Sequence, residues 1–353
     1  PTALRLRGGK PTPRLRPPNP NHPPTPSLRQ VSFRLHNISG LRDPSFRRSY
    51  FRLASDNVTA LLETNCCSPD EEAAWTAEWA DQAFWASQYR DPSLQSLGSH
   101  RGVALLFRGS MFGTGLTLAS DPEGRYLAVL IPIHSRPTLI IALHADCGAT
   151  QTASIAAAQL AIARPHHVQD VHLLADANFP PAALDNLRYP ESLPPYAPLP
   201  TPLHQAASSA FASLTTSLGS LTDAFRSLHP TAAQYTYSHF DNGRVSYKSR
   251  IDRHYLSPSL TTGLAPRLVS TTHLSPTCYA FIRARGTTSH TTKCSDHAAV
   301  RSVLAYSDTP KAPTPWSMPL HLLKSSETVN ALRATVATSL DRSSAKTPTL
   351  RMR

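Results

Sequence analysis

The chain has 353 residues, of which 40% are hydrophobic and 16% charged; that allows one large globular domain or two ordinary ones and is too apolar for the disordered class. Lys and Arg number 35 against 23 Asp and Glu, a formal charge of +12, which points to a polyanionic partner. No apolar run approaches the roughly 18 residues of a membrane span, so no membrane partner is expected, and five cysteines without a CxxC pair or zinc spacing read as free thiols.

Residues 1–30 hold nine prolines, six basic residues and no acid, and read as a disordered basic arm. With Pro1 in place of a Met, they suit a piece of a longer chain. From residue 31 the pattern changes. Residues 31–35 alternate as a half-buried strand, and Phe46, Tyr50 and Ala54 follow at helical spacing. Residues 58–62 form an apolar strand ending at Glu63. Ser68-Pro69-Asp70-Glu71 is a helix start, with Ser as N-cap and Pro at the first helical position. Trp75 and Trp79 then share one helix face. Strands are expected at 102–107, 126–133 and 138–144, a helix at 149–163, and a strand at 171–175 followed by Asp176.

Residues 180–202 are proline-rich and read as a loop. Residues 203–228 read as one helix with Leu214, Leu218, Leu221 and Phe225 on one face. Short strands are expected at 234–237, 251–256, 267–273 and 300–305. Residues 238–248 look like a hairpin around Asp241-Asn242-Gly243. Arg244, Lys248, Arg250 and Arg253 near it suggest a track for DNA phosphates. Residues 31–307 therefore form the domain. Residues 308–353 read as a linker with an amphipathic helix, Val329, Leu332, Val336 and Leu340 sharing a face. Strands outnumber helices and mix with them, which suits sheets packed on sheets with helices outside.

The apolar strands repeatedly end in an acid, amide or histidine: Asn37, Glu63, His144 and Asp146, Asp176 and Asn178, with Asp252 inside a strand and Ser295-Asp296-His297 before the last one. Neighbouring strand ends lie side by side, so residues scattered along the chain can converge. Oxygen ligands from Asn37, Glu63 and an Asp suit a hard cation such as Mg²⁺. A His paired with an Asp suits proton handling or phosphate contact.

In order, His36-Asn37-Ile38-Ser39-Gly40-Leu41-Arg42, Leu61-Leu62-Glu63-Thr64-Asn65, 101–107, Leu143-His144-Ala145-Asp146, Leu174-Ala175-Asp176-Ala177-Asn178, Tyr235-Thr236-Tyr237, Ser249-Arg250-Ile251-Asp252-Arg253 and Cys294-Ser295-Asp296-His297 resemble the endonuclease/exonuclease/phosphatase superfamily. Within it the chain is most similar to the endonuclease domains of LINE-type non-LTR retrotransposons. The resemblance covers about 31–307. It implies an α/β fold, a four-layer sandwich of two mainly antiparallel β-sheets flanked by helices, as in DNase I. It implies a Mg²⁺-dependent (or Mn²⁺-dependent) phosphodiesterase that nicks DNA. Asn37, Glu63 and Asp296 would serve the metal. Asp176 would be base or aligner for water, and Asn178 would hold phosphate and nucleophile. Asp252 would support the centre, Asp296 would fix the His297 tautomer, and His297 would contact the scissile phosphate. His36, Asn65, His144, Cys147 and Ala175 depart from the usual pattern; His144 takes the place of a phosphate-binding Tyr. These departures leave the metal set intact and fall on the phosphate grip.

The Pro315-Trp316 and Leu322-Leu323 segment resembles the linker before a retrotransposon's reverse transcriptase. The implied partners are DNA, the element's own RNA and a downstream reverse transcriptase domain, with nuclear access following from the substrate. An abasic-site repair nuclease, a phosphatase or deadenylase, and a degenerate DNA-binding copy without activity are the competing readings.

Overall fold

The computed structural model describes residues 28–89, 101–168, 170–188, 202–241, 244–263, 266–274 and 295–307. The arm at 1–27, most of the 180–202 loop and the linker at 308–353 lie outside them. The first half of the chain supplies β1 (Leu28–Asn37), α1 (Pro44–Leu53), β2 (Val58–Leu62), α2 (Pro69–Trp79), β3 (Ala83–Ala86), β4 (Val103–Phe107), β5 (Leu116–Ser120), β6 (Tyr126–Ile133), β7 (Arg136–His144) and α3 (Gln151–Ala161). The second supplies β8 (Asp170–Asp176), β9 (Asn186–Arg188), α4 (Pro202–Ser217), β10 (Thr222–Asp223), α5 (Ala224–Leu228), β11 (Tyr237–Asp241), β12 (Arg244–Ser249), β13 (Asp252–Leu256), α6 (Pro258–Thr262), β14 (Arg267–Leu274) and β15 (Ala299–Ser307).

Two six-stranded sheets run β14-β15-β1-β2-β4-β3 and β10-β13-β8-β7-β6-β5, with a three-stranded β11-β12-β9 sheet beside them. The pairings are antiparallel except β1/β2 and β7/β8. The expected four-layer arrangement is therefore present, and the small third sheet is an addition to it. Strand alternation explains why β2 and β7 read as unbroken apolar runs. Val58, Ala60 and Leu62 point into the inter-sheet core, as do Ile140 and Ala142. Leu61 faces α1 and α2, packing with Phe46, Tyr50, Trp75 and Trp79. Leu139, Ile141 and Leu143 face α3 and α4, packing with Ile155, Phe211 and Leu214.

Local chemistry sets the boundaries. Ser68 accepts from the Glu71 amide, as its cap signature predicts. β1 begins at Leu28, three residues before the expected start, because Leu28 to Leu35 pair with Ser307 to Val300 of β15; residues 28–30 thus belong to the sheet rather than the arm. The single helix expected at 203–228 is two. Gly219 at φ +106° and Ser220 at φ 57° turn the chain after α4. Asp223 then caps α5 by accepting from the Phe225 and Arg226 amides. All four expected apolar residues are buried nonetheless. Among the described residues no helix is long and apolar enough to cross a membrane.

Candidate active site

Parallel pairing decides where the polar strand ends meet. β1 and β2 run together, with Asn37 opposite Leu62, so Glu63 emerges beside Asn37. In the second sheet His144 lies opposite Asp176, and Asp176 opposite Asp252. This makes a row of three titratable side chains across β7, β8 and β13. The 295–297 segment enters β15 next to β1, where the Ser295 hydroxyl donates to Asn37 O at 2.6 Å and accepts from the His297 amide at 3.0 Å.

The two rims join through side chains. Asn37 Nδ2 donates to Glu63 Oε1 at 2.8 Å and to Asp176 Oδ2 at 3.1 Å. His297 Nδ1 lies 2.8 Å from Asp252 Oδ2 and 3.8 Å from Asp176 Oδ2. The Asn178 amide donates to Asp176 Oδ1 at 3.0 Å. Asn37, Glu63, Asp176, Asn178, Asp252 and His297, expected together, are therefore one constellation. Glu63 and Asn178 both sit at φ 54°, a backbone region that non-glycine residues rarely adopt and that is enriched at functional sites.

Two assignments change. The partner of His297 Nδ1 is Asp252, not Asp296. Asp296 is 43% exposed and its Oδ1 lies 3.9 Å from Nε2, on the outer side of the ring. Adjacent residues of an extended chain point opposite ways, so a neighbour in sequence was the wrong place to seek the partner. His144 is buried and its Nε2 lies 3.2 Å from Glu63 Oε1. It orients the Glu63 carboxylate, in place of the phosphate contact expected of it.

The expected DNA track is also redrawn. Arg250 is fully buried, its Nε 2.6 Å from Asp185 and its Nη1 2.8 Å from Asp223. Arg253 is buried against the Phe179 ring, donating to the Tyr255 hydroxyl and to Phe179 O. Neither faces DNA; both hold the floor of β13. Lys248 is half-buried on β12, and the Arg244 side chain lies outside the described set.

Electrostatics follows from this crowding. Burial lowers the His297 imidazole, but Asp252, Asp176 and Asp296 outweigh it and lift the pKa to about 10. Burial and the neighbouring Asp252 carboxylate raise Asp176. Asp252 is lowered: burial opposes ionisation, but His297 and the Thr236 hydroxyl prevail. For Glu63 burial likewise opposes ionisation, and the His144 and Asn37 hydrogen bonds prevail, lowering it.

The constellation fits a divalent cation. Asp176, Asp252 and His297 offer ligand atoms within 4.8 Å of one another. Asp252 Oδ1 is buried with no hydrogen-bond partner among the described residues. With Asn37 and Glu63 adjoining, the oxygen-rich set suits a hard ion such as Mg²⁺ or Mn²⁺. A cavity of about 610 Å³ opens directly above, lined among others by Glu63, Asn178, Asp296 and His297. Thr236 and Ser295 lay inside quoted motifs without a role. The structure gives them one: Thr236 Oγ1 accepts from the Ile251 and Asp252 amides, and Ser295 ties His297 to Asn37.

A solved 3′ phosphatase from Neisseria, NExo, bound to a product DNA hairpin, is similar at a TM-score of 0.52 and 19% identity, covering 77% of this chain and 98% of that one. An AP endonuclease from Leishmania major, LMAP, matches at 0.52 and 17%, covering 79% and 88%. The fold is DNase I-like. No protein-family model matches the chain, and no curated protein sequence does; at these identities the likeness is one of fold, and the chemistry rests on the residues.

Proposed function

We propose that this protein is a metal-dependent phosphodiesterase that nicks DNA. The supporting observation is the hydrogen-bonded set running from Glu63 through Asn37 to Asp176, with the Asp252–His297 pair beside it beneath one cavity. Asn37, Glu63 and Asp296 would hold Mg²⁺ or Mn²⁺, Glu63 and Asp296 both lining the cavity. When bound, the cation neutralises charge developing on the phosphate and its leaving oxygen. His297 Nδ1–H donates to Asp252, and because the carboxylates hold the ring as an imidazolium, its Nε2–H is also available to a phosphate in the cavity. Asp176, raised by burial and held by Asn37 and the Asn178 amide, is suited to take the proton of an attacking water. The basic net charge favours a nucleic acid over a small phosphoester.

Within this reading we assign the protein as the target-site endonuclease of a non-LTR retrotransposon, acting in the nucleus, with its element RNA and a reverse transcriptase domain as partners. The linker-like sequence at 315–323 supports that choice. An abasic-site nuclease is the second reading, favoured by the AP endonuclease among the similar folds. Incubation of supercoiled plasmid with Mg²⁺, with and without chelator, tests the activity. Wild type nicks and Asp176→Ala and His297→Ala do not; equal nicking by all three removes the enzyme reading. A strong preference for an abasic duplex over an intact one selects repair instead.

A further inference from the structure

The outer helices differ sharply in charge. α3 and α4, over the second sheet, carry no Lys, Arg, Asp or Glu. α1, over the first sheet, carries Arg47, Arg48 and Arg52 and no acid. Its apolar face, with Phe46, Tyr50 and Phe51, is buried. The spacing i, i+3, i+4, i+7 puts Ser45, Arg48, Ser49 and Arg52 on one side of the helix, and all four line a second cavity of about 700 Å³. Among the described residues this cavity shares no lining side chain with the catalytic one. Arg108 is fixed in its wall: the guanidinium lies 4.2 Å over the Trp79 ring and donates to Ala54 O at 2.8 Å and to Phe51 O at 3.0 Å. Glu78, the one acid among the described lining residues, is already engaged, since Arg47 donates to it through Nε at 2.7 Å and Nη2 at 2.8 Å. The other acids of α2, Asp70, Glu71 and Glu72, stand in its first turn and do not line the cavity. The guanidiniums of Arg48, Arg52 and Arg108 therefore face the cavity with its only carboxylate neutralised by a fourth. Arg48 and Arg52 are exposed, whereas Phe51 and Trp79 are buried. The groove offers charge and hydrogen-bond donors, but no open aromatic face among the described residues.

We propose that the α1 groove is a second nucleic-acid site, which takes the phosphates of a single strand while the catalytic cavity holds its own substrate. Guanidiniums suit phosphate oxygens because their forked donors match the geometry. A duplex presents its phosphates on a rigid convex cylinder, whereas a flexible strand can lay successive phosphates into a concave basic groove. With the aromatic rings sealed, the bases are not stacked. Binding is therefore independent of sequence and driven by the release of counterions from the strand. The site does not rest on the phosphodiesterase reading, since it uses none of the catalytic residues and no metal.

Fluorescence anisotropy of a short labelled single strand, in chelator and over a range of salt, tests this with RNA and DNA of one sequence. Arg48→Ala/Arg52→Ala lowers the slope of log affinity against log salt by about 1.4, the loss of two phosphate contacts at about 0.7 each. Arg48→Lys/Arg52→Lys keeps the slope, and so does Arg267→Ala, which removes an exposed arginine from β14. A saturating unlabelled duplex leaves the strand bound. A loss of slope with either strand supports the groove, and the strand that shows it identifies RNA or DNA as the source. An unchanged slope with both strands, a comparable loss from Arg267→Ala, or displacement of the strand by the duplex overturns the second site. Plasmid nicking in Mg²⁺ by Arg48→Ala/Arg52→Ala matches wild type. If wild type cuts nothing, the phosphodiesterase reading fails and the salt slope still decides the groove.

Discussion

Two buried charge networks sit on either side of Ile251, and they are built oppositely. On one side Arg250 and Arg226 face Asp185 and Asp223: two guanidiniums for two carboxylates, Arg250 bonding both acids and Arg226 closing on Asp185. On the other, Asp176 and Asp252 share one imidazolium, His297, and Asp252 Oδ1 has no partner among the described residues. A balanced network satisfies itself and serves the fold. An unbalanced one keeps excess negative charge under a cavity, where a cation belongs. Sign and count, rather than burial, distinguish structure from function here.

The largest expected effect breaks the unbalanced side. Asp176→Asn keeps shape and the bond from the Asn178 amide but removes the base, so nicking falls on the order of 10³-fold while the unfolding midpoint in urea stays near wild type. The opposite split is expected for Arg250→Ala. Removing Arg250 leaves Asp223 uncompensated and Asp185 with Arg226 alone, and stability drops by about 3–5 kcal/mol, read by urea unfolding. A stable Arg250→Ala protein with weakened DNA binding would restore the phosphate-track assignment that its burial contradicts.

Which parts of this were legible in the sequence follows from the range of the interactions. β6 was read at its full extent, since burial on both faces writes itself as a continuous apolar run. β3 and β5 were missed: they are short edge strands, and β5 is largely exposed, so little in their side chains marks them. The site residues were legible because strands that end on polar groups are unusual, and the family pattern fixed their order. The pairing was not. Arg250 meets Asp185 across 65 positions, and Asp252 meets His297 across 45; only the fold makes them neighbours. Arg250 looked like surface charge because the acids that bury it, Asp185 and Asp223, stand 65 and 27 positions away in the chain.

A second contrast concerns histidines. His172 and His254 lie in the inter-sheet core, their nitrogens 3.2 Å apart and the His172 ring stacked on Phe33 at 4.2 Å. Burial holds both neutral: His254 is lowered to about 3, and His172, further lowered by His254, stands well below its ordinary value. The unfolded chain binds protons that the folded one refuses. Their stability contribution is thus whole above about pH 6.5 and is lost as pH falls toward 3, by about 1.4 kcal/mol per unit for each histidine. Urea unfolding between pH 7 and pH 4 shows this slope, and His254→Leu flattens it. The smallest effect sharpens the line between sealed and accessible cations. Lys248→Ala reduces the salt slope of DNA binding by about 0.9, measured by anisotropy against log salt, whereas a buried guanidinium contributes nothing to that slope.

The excess of carboxylate under the cavity is tested most directly by thermal unfolding with and without Mg²⁺ in wild type and Glu63→Gln. Binding to the folded state alone raises stability by about 2.7 kcal/mol at a hundredfold excess over Kd, so the wild-type midpoint climbs with Mg²⁺ and that of Glu63→Gln stays flat. Equal climbs in both proteins, or none in wild type, would contradict a cation site built on Glu63, Asn37 and Asp296.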